Sequence, residues 1–369
     1  MKVAFVTTRF YPIAGGAGTI SKTIAESLCE DLNIDILTEK ETSTGYFNRM
    51  DGYSVKRLKT LYRECFLKHI LFSLKSCVIS NKYKAVYFQD VTSSFFAFLC
   101  LRKKIVKYGG DIVYEQLMLM KPWLRLTDVI KAWNYNALTR MLKNVIALYM
   151  KNFNIVYTNS EYGKKCLRRI GIRACVIRNG VDLDEFKPVG KRKMNEIKRR
   201  YGFKNKKIFF ISSRLVPWKG IDVAIKAFIE ARIKNSVLLI AGYGPFANKL
   251  KAISAGNRNI VFLGNLSREK NREYLLMSDV FVHIPYMDWC PNSLLEAMAC
   301  GKNVVATTYG GLREIVNKRN AFLVENLNID DVAARLKDAL SMDKGPHARK
   351  TAELRFDVKT MLERIRNLY

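Results

Sequence analysis

Residues 286–301 read YMDWCPNSLLEAMACG and come directly after an apolar run at positions 280–284. The run has the length and composition of a buried parallel strand. Pro291 suits the first turn of a helix and Gly301 suits its end, so the stretch predicts a strand, a loop and a helix. That order is the repeating unit of a doubly wound α/β sheet.

Similar short apolar runs recur on both sides of this stretch, separated by longer segments with helical spacing. In the first half of the chain they lie at 3–8, 34–38, 85–89, 105–108, 155–159 and 175–178. In the second half they lie at 208–212, 237–241, 260–263, 280–284, 303–307 and 321–324. The sequence therefore predicts two consecutive doubly wound sheets, with ligands beyond the carboxyl ends of their strands and the site between the two domains.

The domain boundary is expected in the connection 182–207, which combines Pro and Gly with a dense run of basic residues. We place it near Phe186. The N-terminal domain is then 1–185 and the C-terminal domain 186–349, with 350–369 expected to cross back onto the first domain.

Two cations follow the first strand of the second half, in the segment SRLVPWKG at 213–220. Arg214 and Lys219 stand five residues apart across a turn that contains Pro217. They could converge on one anion, the arginine as a fork and the lysine as a point charge, and a diphosphate fits that demand. The alternative is that both are ordinary surface cations.

The helix predicted in the opening stretch offers a second contact for an anion. Backbone amides of Asn292, Ser293 and Leu294 would point out of its N-terminus, where the helix dipole favours negative charge. Glu296 lies one turn further on, where its carboxylate could accept hydrogen bonds from ribose hydroxyls, and Asp288 would reach the sugar. The alternative is a capped helix, with both acids as ordinary surface charges.

Together these residues resemble the family 4, or group 1, glycosyltransferases, whose signature is two acids separated by seven residues in such a loop and helix. Asp288 and Glu296 have that separation. Further motifs similar to those of the family, in the same order, are IRNGVD at 177–182, AGYGP at 241–245, FLG at 262–264 and GGLREIV at 310–316. The resemblance implies the GT-B fold, in which two Rossmann-like domains face a central cleft, the first binding the acceptor and the second the donor.

By this resemblance Arg214 and Lys219 bind the donor diphosphate, Glu296 binds the ribose and Asp288 binds hydroxyls of the transferred sugar. Gly244 joins the same donor site. The implied reaction is retaining transfer from a nucleotide-diphosphate sugar, with UDP or GDP as carrier, to a glycan or lipid-linked acceptor. No cofactor and no metal are expected, because the sugar nucleotide is a co-substrate and the cations stabilise the leaving group.

The first half of the chain matches the family less well. A histidine that often follows the fourth strand is missing, and KYGGDIVYE at 107–115 makes Asp111 the candidate acceptor-side group. A turn aspartate that caps the next helix is the alternative. Gly16, in the glycine-rich turn 11–18, resembles a family turn that faces the cleft, although such turns also simply join strands to helices.

Two details of the second half also bear on the site. Asp288 stands where the family usually has glutamate, which is one methylene longer. His283 falls within a strand pattern and is expected to be a core histidine.

The formal net charge of +30 indicates attraction to polyanions. A nucleic-acid-binding protein is one alternative, but it would leave the donor residues unexplained, so no nucleic acid is expected as a partner. A basic amphipathic surface at 121–151, with Trp123, Trp133 and Ile146 among its apolar side chains, fits an anionic membrane, and a core-facing helix fits equally well. A sugar-nucleotide epimerase or phosphorylase of the same fold is a further alternative, against which the two-acid loop argues.

The sequence lacks an apolar run of the ~20 residues that cross a bilayer, and the first residues turn polar too soon for a signal peptide. A cytoplasmic protein is therefore expected, with a peripheral position on the cytoplasmic face of a membrane as the second option. Eight cysteines without a C-x-x-C pair argue against a disulfide framework and a zinc site.

Overall fold

The structure, a computed structural model, describes residues 1–8, 10, 16–40, 47–50, 52–59 and 66–369. These residues form two compact units, each with its own sheet. The first unit contains Met1–Asp111, Trp133–Arg178 and Met361–Tyr369, and the second contains Ile112–Ala132 and Asn179–Thr360. Residues 112–132, which the sequence-based division gives to the first domain, thus cluster with the second unit, and 361–369 cluster with the first.

The first unit holds a sheet of eight strands. They are β1 (Lys2–Thr7), β2 (Asn33–Glu39), β3 (Phe47–Met50), β4 (Tyr53–Leu58), β5 (Ala85–Phe88), β6 (Lys103–Tyr108), β7 (Ile155–Thr158) and β8 (Cys175–Val176). Their order is β3-β4-β2-β1-β5-β6-β7-β8, and all neighbours are parallel except β3 and β4. The order reverses direction between β1 and β5, as in a doubly wound sheet.

The sequence did not predict β3 and β4. The other six strands coincide with the short apolar or β-branched runs that the prediction used, as a parallel sheet with covered faces favours. In contrast, β4 alternates between buried and half-buried side chains along YSVKRL. Such a strand near the sheet edge lacks the continuous apolar signal on which the prediction depended.

The second unit holds six parallel strands. They are β9 (Lys207–Ser212), β10 (Ser236–Ala241), β11 (Ile260–Gly264), β12 (Val280–His283), β13 (Asn303–Thr307) and β14 (Phe322–Val324). Their order is β11-β10-β9-β12-β13-β14. All six were predicted as apolar runs, and β10 is buried along its whole length. The chain reverses its direction of winding between β9 and β12, so the crevice for a ligand is expected at the carboxyl ends of those two strands.

Fourteen α-helices lie in the described part of the chain. They are α1 (Gly16–Leu28), α2 (Phe66–Ser80), α3 (Ile112–Met120), α4 (Val129–Trp133), α5 (Ala137–Met150), α6 (Glu161–Arg169), α7 (Lys191–Arg200), α8 (Ile221–Ala231), α9 (Ala247–Ile253), α10 (Arg268–Met277), α11 (Asn292–Ala299), α12 (Ile329–Ser341), α13 (Gly345–Arg355) and α14 (Val358–Arg366). The buried core of the second unit forms where the strands meet α11, with Phe210, Phe281 and Leu294 fully buried.

The basic amphipathic region predicted at 121–151 is divided by the structure. Trp133 and Ile146 are buried, as the core-facing alternative expects, so they are not part of an exposed amphipathic surface. Trp123 is exposed, but it lies in the segment that clusters with the second unit. The exposed apolar residues of α5 are the remaining part of that region.

Within the described residues, no helix has both the length and the apolar character required to cross a bilayer.

Gly220 joins the loop after β9 to α8 with a φ of +66°. A Cβ at this position would lie 2.2 Å from the carbonyl oxygen of Ile284, just beyond β12. The two loops that follow β9 and β12 therefore approach each other backbone to backbone, and only glycine allows that approach.

We predict that Gly220→Ala costs at least about 2 kcal/mol more folding free energy than Gly264→Ala. Gly264 is a matched control, because its φ is +67° but an added Cβ would meet no heavy atom within 4 Å. Chemical unfolding of both variants measures the difference. Equal losses would show that positive φ alone, and not the contact with Ile284, requires glycine at position 220.

Candidate functional site

The predicted site residues of the second half lie around the reversal point of the second sheet. Arg214 and Lys219 follow β9, and Asp288 follows β12, the neighbour of β9 in the sheet. The carboxyl ends of these two strands form the expected ligand crevice. The topology therefore brings the two cations and the first acid to one edge of the sheet.

The loop that carries Arg214 is held by the loop after β10. The Leu215 amide donates to the carbonyl of Tyr243 at 2.8 Å, and the Phe246 amide donates to the carbonyl of Leu215 at 3.0 Å. A Cβ on Gly244 would lie 2.3 Å from that same Leu215 oxygen. The structure thus places Gly244 against the cation-bearing loop, where a side chain would push the two loops apart.

Arg214 forms a two-pronged ion pair with Glu115 of α3, with N–O distances of 3.2 and 3.3 Å. Its guanidinium also lies 5.4 Å from the ring centroid of Trp218. Because the Arg214 side chain is 51% exposed, water and salt screen this pair.

Lys219 contacts the carboxylate of Asp288 directly, in a much less exposed pair. The same Asp288 oxygen, Oδ2, lies 3.1 Å from Nε2 of His283, the last residue of β12. The other oxygen, Oδ1, accepts a hydrogen bond from the Trp289 amide at 2.9 Å. Both oxygens of Asp288 are therefore held in place.

The charges of this cluster follow from burial and proximity. Burial by itself raises the pKa of Asp288, but the Lys219 ammonium and the bond to His283 outweigh it and bring the pKa below its ordinary value. Burial lowers the pKa of His283, although Asp288 opposes the shift. The histidine is therefore neutral at pH 7, and it donates its Nε2 proton to an ionised aspartate.

The loop between β12 and α11 is fixed by hydrogen bonds to its backbone on three sides. The Tyr286 amide donates to the carbonyl of Trp218 at 2.8 Å, and the Gly311 amide donates to the carbonyl of Asp288 at 2.9 Å. On the third side the Asn179 side chain donates to the carbonyl of Cys290 at 2.7 Å. Two motifs of the sequence resemblance, at 177–182 and 310–316, thus support the loop that carries Asp288.

Helix α11 begins at Asn292, one residue after Pro291, and it has no side-chain cap. The Ser293 and Leu294 amides lie in its first turn, where an α-helix supplies no backbone acceptor. The predicted helix start is thus confirmed, and the positive end of its dipole lies in the segment that follows β12.

Glu296 is partly buried on α11, and burial raises its pKa to about 7. The nearby charge of Glu185 adds to this rise, whereas Arg268 opposes it. Arg268 is itself occupied by Glu185, with an Nε–Oε1 distance of 2.8 Å. The Glu296 carboxyl therefore lies in surroundings that do not compensate its charge, which suits a group that gains hydrogen bonds from a ligand.

The two predicted residues of the first half lie in the first unit. Asp111 is buried, and its Oδ2 accepts hydrogen bonds from Tyr108 Oη at 2.6 Å and Trp133 Nε1 at 2.9 Å. Gly16 is the first residue of α1, and the preceding turn 11–15 lies outside the described residues. The acceptor-side role of Asp111 and the donor-binding role of Gly16 remain predictions.

Sequence reasoning missed two partners of the site. It assigned His283 to the core, and the residue is indeed buried, but its contact with Asp288 was not foreseen. The signal that could have revealed this contact is the position of His283 at the end of β12, five residues before Asp288. Glu115 is separated from Arg214 by 99 residues, so no local pattern could reveal their pairing.

Comparison with known proteins connects the second unit to a family. Residues 193–354 match the model of the glycosyl transferases group 1. This segment lies within the second unit and holds Arg214, Lys219, Asp288 and Glu296. The sequence relationship to group 1 glycosyltransferases therefore rests on the part of the chain that carries the predicted donor site.

Two curated proteins illustrate the relationship. An uncharacterized glycosyltransferase of Methanocaldococcus jannaschii is 35% identical over 148 residues, which cover 38% of this chain and 36% of the relative. The GDP-mannose-dependent monoacylated alpha-(1-6)-phosphatidylinositol monomannoside mannosyltransferase of Corynebacterium glutamicum is 28% identical over 207 residues, covering 52% and 54%. The matches thus span about half or less of these relatives.

Among solved structures, sucrose-phosphate synthase from Thermosynechococcus elongatus is similar over 100% of this chain and 98% of its own, with a TM-score of 0.81 and 18% identity. At this identity the likeness concerns the fold alone. The predicted fold class, GT-B with two Rossmann-like units, is confirmed.

We predict that Glu296→Gln becomes progressively more stable than the wild type as the pH rises from about 5 to 8, by on the order of 2 kcal/mol. The folded chain holds the Glu296 proton up to about pH 7, whereas the unfolded chain releases it near 4.5. Wild-type stability is therefore lost between these values, and glutamine does not titrate.

Thermal unfolding at several pH values measures this effect. The matched control is Glu230→Gln, which makes the same change at an exposed position of α8. If the stability difference between Glu296→Gln and the wild type does not change with pH, the Glu296 carboxyl is not held in its neutral form.

Proposed function

We propose that the chain is a retaining glycosyltransferase of family 4 that moves a sugar from a nucleotide-diphosphate sugar to a glycan or lipid-linked acceptor. The observation that carries the proposal is the pairing of Lys219 with Asp288 at the reversal point of the second sheet, beside Arg214. The match of residues 193–354 to group 1 glycosyltransferases supports it independently.

In this proposal the donor diphosphate binds where Arg214 and Lys219 follow β9. Arg214 gives up its exposed ion pair with Glu115. It then donates the planar, two-pronged hydrogen bonds that a phosphate accepts. Lys219 has three N–H donors, so it can keep Asp288 and still contact a phosphate oxygen. The amides at the start of α11 supply a further anion contact.

The chemical step then depends on stabilising the leaving group. The bond between sugar C1 and the diphosphate oxygen breaks, and negative charge grows on that oxygen, where Arg214 and Lys219 stabilise it. The acceptor oxygen forms its bond to C1 on the same face, and its proton passes to the departing diphosphate oxygen. This sequence keeps the anomeric configuration and requires no protein nucleophile. Because the cations supply the positive charge, we propose that the reaction needs no metal.

Asp288 is assigned to the hydroxyls of the transferred sugar, and His283 holds it there. Aspartate is one methylene shorter than the glutamate of the family pattern. The bond from His283 Nε2 and the bond from the Trp289 amide fix the shorter carboxylate in a single orientation. His283 is therefore a positioning residue in this proposal.

The acceptor is assigned to the first unit, with Asp111 and the turn before Gly16 as the predicted contacts. The Corynebacterium glutamicum relative is named for a phosphatidylinositol monomannoside, a lipid-linked acceptor. We propose the same broad class for this chain, acting on the cytoplasmic face of a membrane. The donor carrier is UDP or GDP.

A first test uses the diphosphate. We predict that UDP or GDP raises the melting temperature more than the matching monophosphate does, and that Lys219→Ala weakens nucleoside diphosphate binding by about 10- to 100-fold. The loss should be much smaller for the monophosphate, because Lys219 is assigned to the diphosphate. Calorimetric titration measures both affinities, and sugar transfer should fall in parallel.

The control for this test is Lys226→Ala, which removes an exposed lysine of α8. Equal affinity for the diphosphate in Lys219→Ala and Lys226→Ala contradicts the assignment. Conversion of the sugar nucleotide to its epimer without any acceptor would instead favour an epimerase.

A second test uses the ribose. We predict that Glu296→Ala weakens nucleoside diphosphate binding by about tenfold or more and removes the preference for the ribonucleotide over its 2′,3′-dideoxy analogue. Lys219→Ala should retain that preference, since it acts on the other end of the donor. A ribose preference that persists in Glu296→Ala would assign the hydroxyl contact to another residue.

A further inference from the structure

Glu115 places a carboxylate of the chain itself on the arginine that is assigned to the donor diphosphate. Both residues belong to the second unit. The two carboxylate oxygens of Glu115 accept hydrogen bonds from both terminal nitrogens of Arg214, at 3.2 and 3.3 Å. The part of the chain that the structure describes gives this carboxylate no other hydrogen-bond donor. Glu115 therefore occupies the planar fork of the guanidinium that also suits a phosphate.

Helix α3, which carries Glu115, is held against the loop after β9 by contacts that do not involve this carboxylate. The buried Tyr114 ring packs edge-on against Trp218, with 6.4 Å between the ring centroids. The Tyr114 hydroxyl donates to the carbonyl of Leu126 at 2.6 Å. The Glu115 carboxylate therefore stays close to Arg214, at a high effective concentration, even when the two side chains are not paired.

A second anchor lies at the other end of the same segment. Arg125 pairs with Asp222 at 3.4 Å, and its guanidinium lies 5.8 Å from the centroid of the Tyr286 ring. Asp222 is in the first turn of α8, and Tyr286 follows β12. The segment 112–125 thus contacts elements that follow both β9 and β12, the two strands whose loops carry the predicted donor residues.

The two carboxylates that pair with the donor cations differ in how firmly they are held. Asp288 contacts Lys219 and accepts hydrogen bonds from two further donors. Glu115 has the Arg214 pair alone within the described residues. Its side chain is 30% exposed, so the carboxylate can leave Arg214 and regain water without becoming an unpaired buried charge. Glu115 is therefore the carboxylate that a ligand can replace.

We propose that Glu115 is an internal competitor of the donor diphosphate. It occupies Arg214 when the site is empty, leaves when a diphosphate binds and returns when the diphosphate departs. Because a ligand can use only the chains in which Arg214 is unpaired, its apparent affinity falls by that fraction. The inference rests on the proposed function, in which the nucleoside diphosphate is also the product. Glu115 then regulates the site by promoting release of that product.

The alternative role for Glu115 is to orient Arg214 in advance for the donor. The guanidinium already lies 5.4 Å from the centroid of the Trp218 ring, and this contact orients it without Glu115. A phosphate that shared Arg214 with Glu115 would place two anions on one cation, and like charges at this distance repel each other. The geometry therefore favours competition over support.

The test is calorimetric titration with inorganic pyrophosphate and with whichever of UDP and GDP binds more tightly. We predict that Glu115→Gln tightens binding of both ligands by about two- to fivefold, the range that an exposed ion pair contributes. In the Arg214→Ala background the same change should no longer tighten binding, because there is no guanidinium to compete for. In a transfer assay, Glu115→Gln should strengthen inhibition by the nucleoside diphosphate product by a similar factor.

Two controls accompany these variants. Glu230→Gln removes an exposed carboxylate of α8 that takes no part in the pair, and it should leave the affinity for both ligands as in the wild type. Circular dichroism confirms that each variant is folded. The Arg214→Ala background separates competition from a general effect of removing one negative charge.

Unchanged binding in Glu115→Gln would overturn the inference, and weaker binding would assign Glu115 the orienting role instead. Tightening that persists in the Arg214→Ala background would also overturn it, because the effect would then be one of general charge. If UDP and GDP bind to no variant while Glu115→Gln tightens pyrophosphate binding, the competitor is supported and the proposed function fails. If neither pyrophosphate nor a nucleoside diphosphate binds to any variant, both fail.

Discussion

The second unit depends on a partly buried ion pair between Lys219 and Asp288 that joins the loops after two neighbouring strands. Removing two charges from water is costly unless hydrogen bonds satisfy their remaining atoms. Here the Trp289 amide and His283 form hydrogen bonds to the carboxylate oxygens of Asp288. The pair also requires the two loops to approach closely, which explains the glycine at position 220. Charge pairing and close backbone approach thus occur together where the loops after β9 and β12 meet.

The two acids that follow β12 differ because their surroundings differ. Asp288 has a cation within contact distance and remains ionised, whereas the charge of Glu296 is not compensated and its pKa is about 7. Seven residues separate them, yet one is a fixed anion and the other has a pKa close to neutral pH. The spacing of the acids alone could not distinguish these states, because the states follow from burial and from Arg268 and Glu185.

Much of the fold could be predicted because parallel strands covered on both faces are continuous apolar runs. That signal identified every strand of the second sheet and failed at β4, where alternating side chains lie near the sheet edge. At the site, local spacing predicted that Arg214 and Lys219 lie near one another. It could not predict Glu115, because that contact joins segments 99 residues apart. It also missed the role of His283, since a buried histidine at a strand end is typical of an ordinary core.

The cations that make up the net charge of +30 do not contribute equally to the electrostatic field around the protein. Arg214 and Lys219 each have a carboxylate partner, so they add little to the long-range field. Under the proposed function, a diphosphate would bind there by replacing or sharing these carboxylate partners. The segment 131–160 carries four basic residues and no acidic residue, so it contributes to the net positive charge of the chain without carboxylates of its own. An unpaired cluster of cations beside Asp288 would attract any polyanion, whereas cations paired with carboxylates favour a ligand that can replace or share those partners.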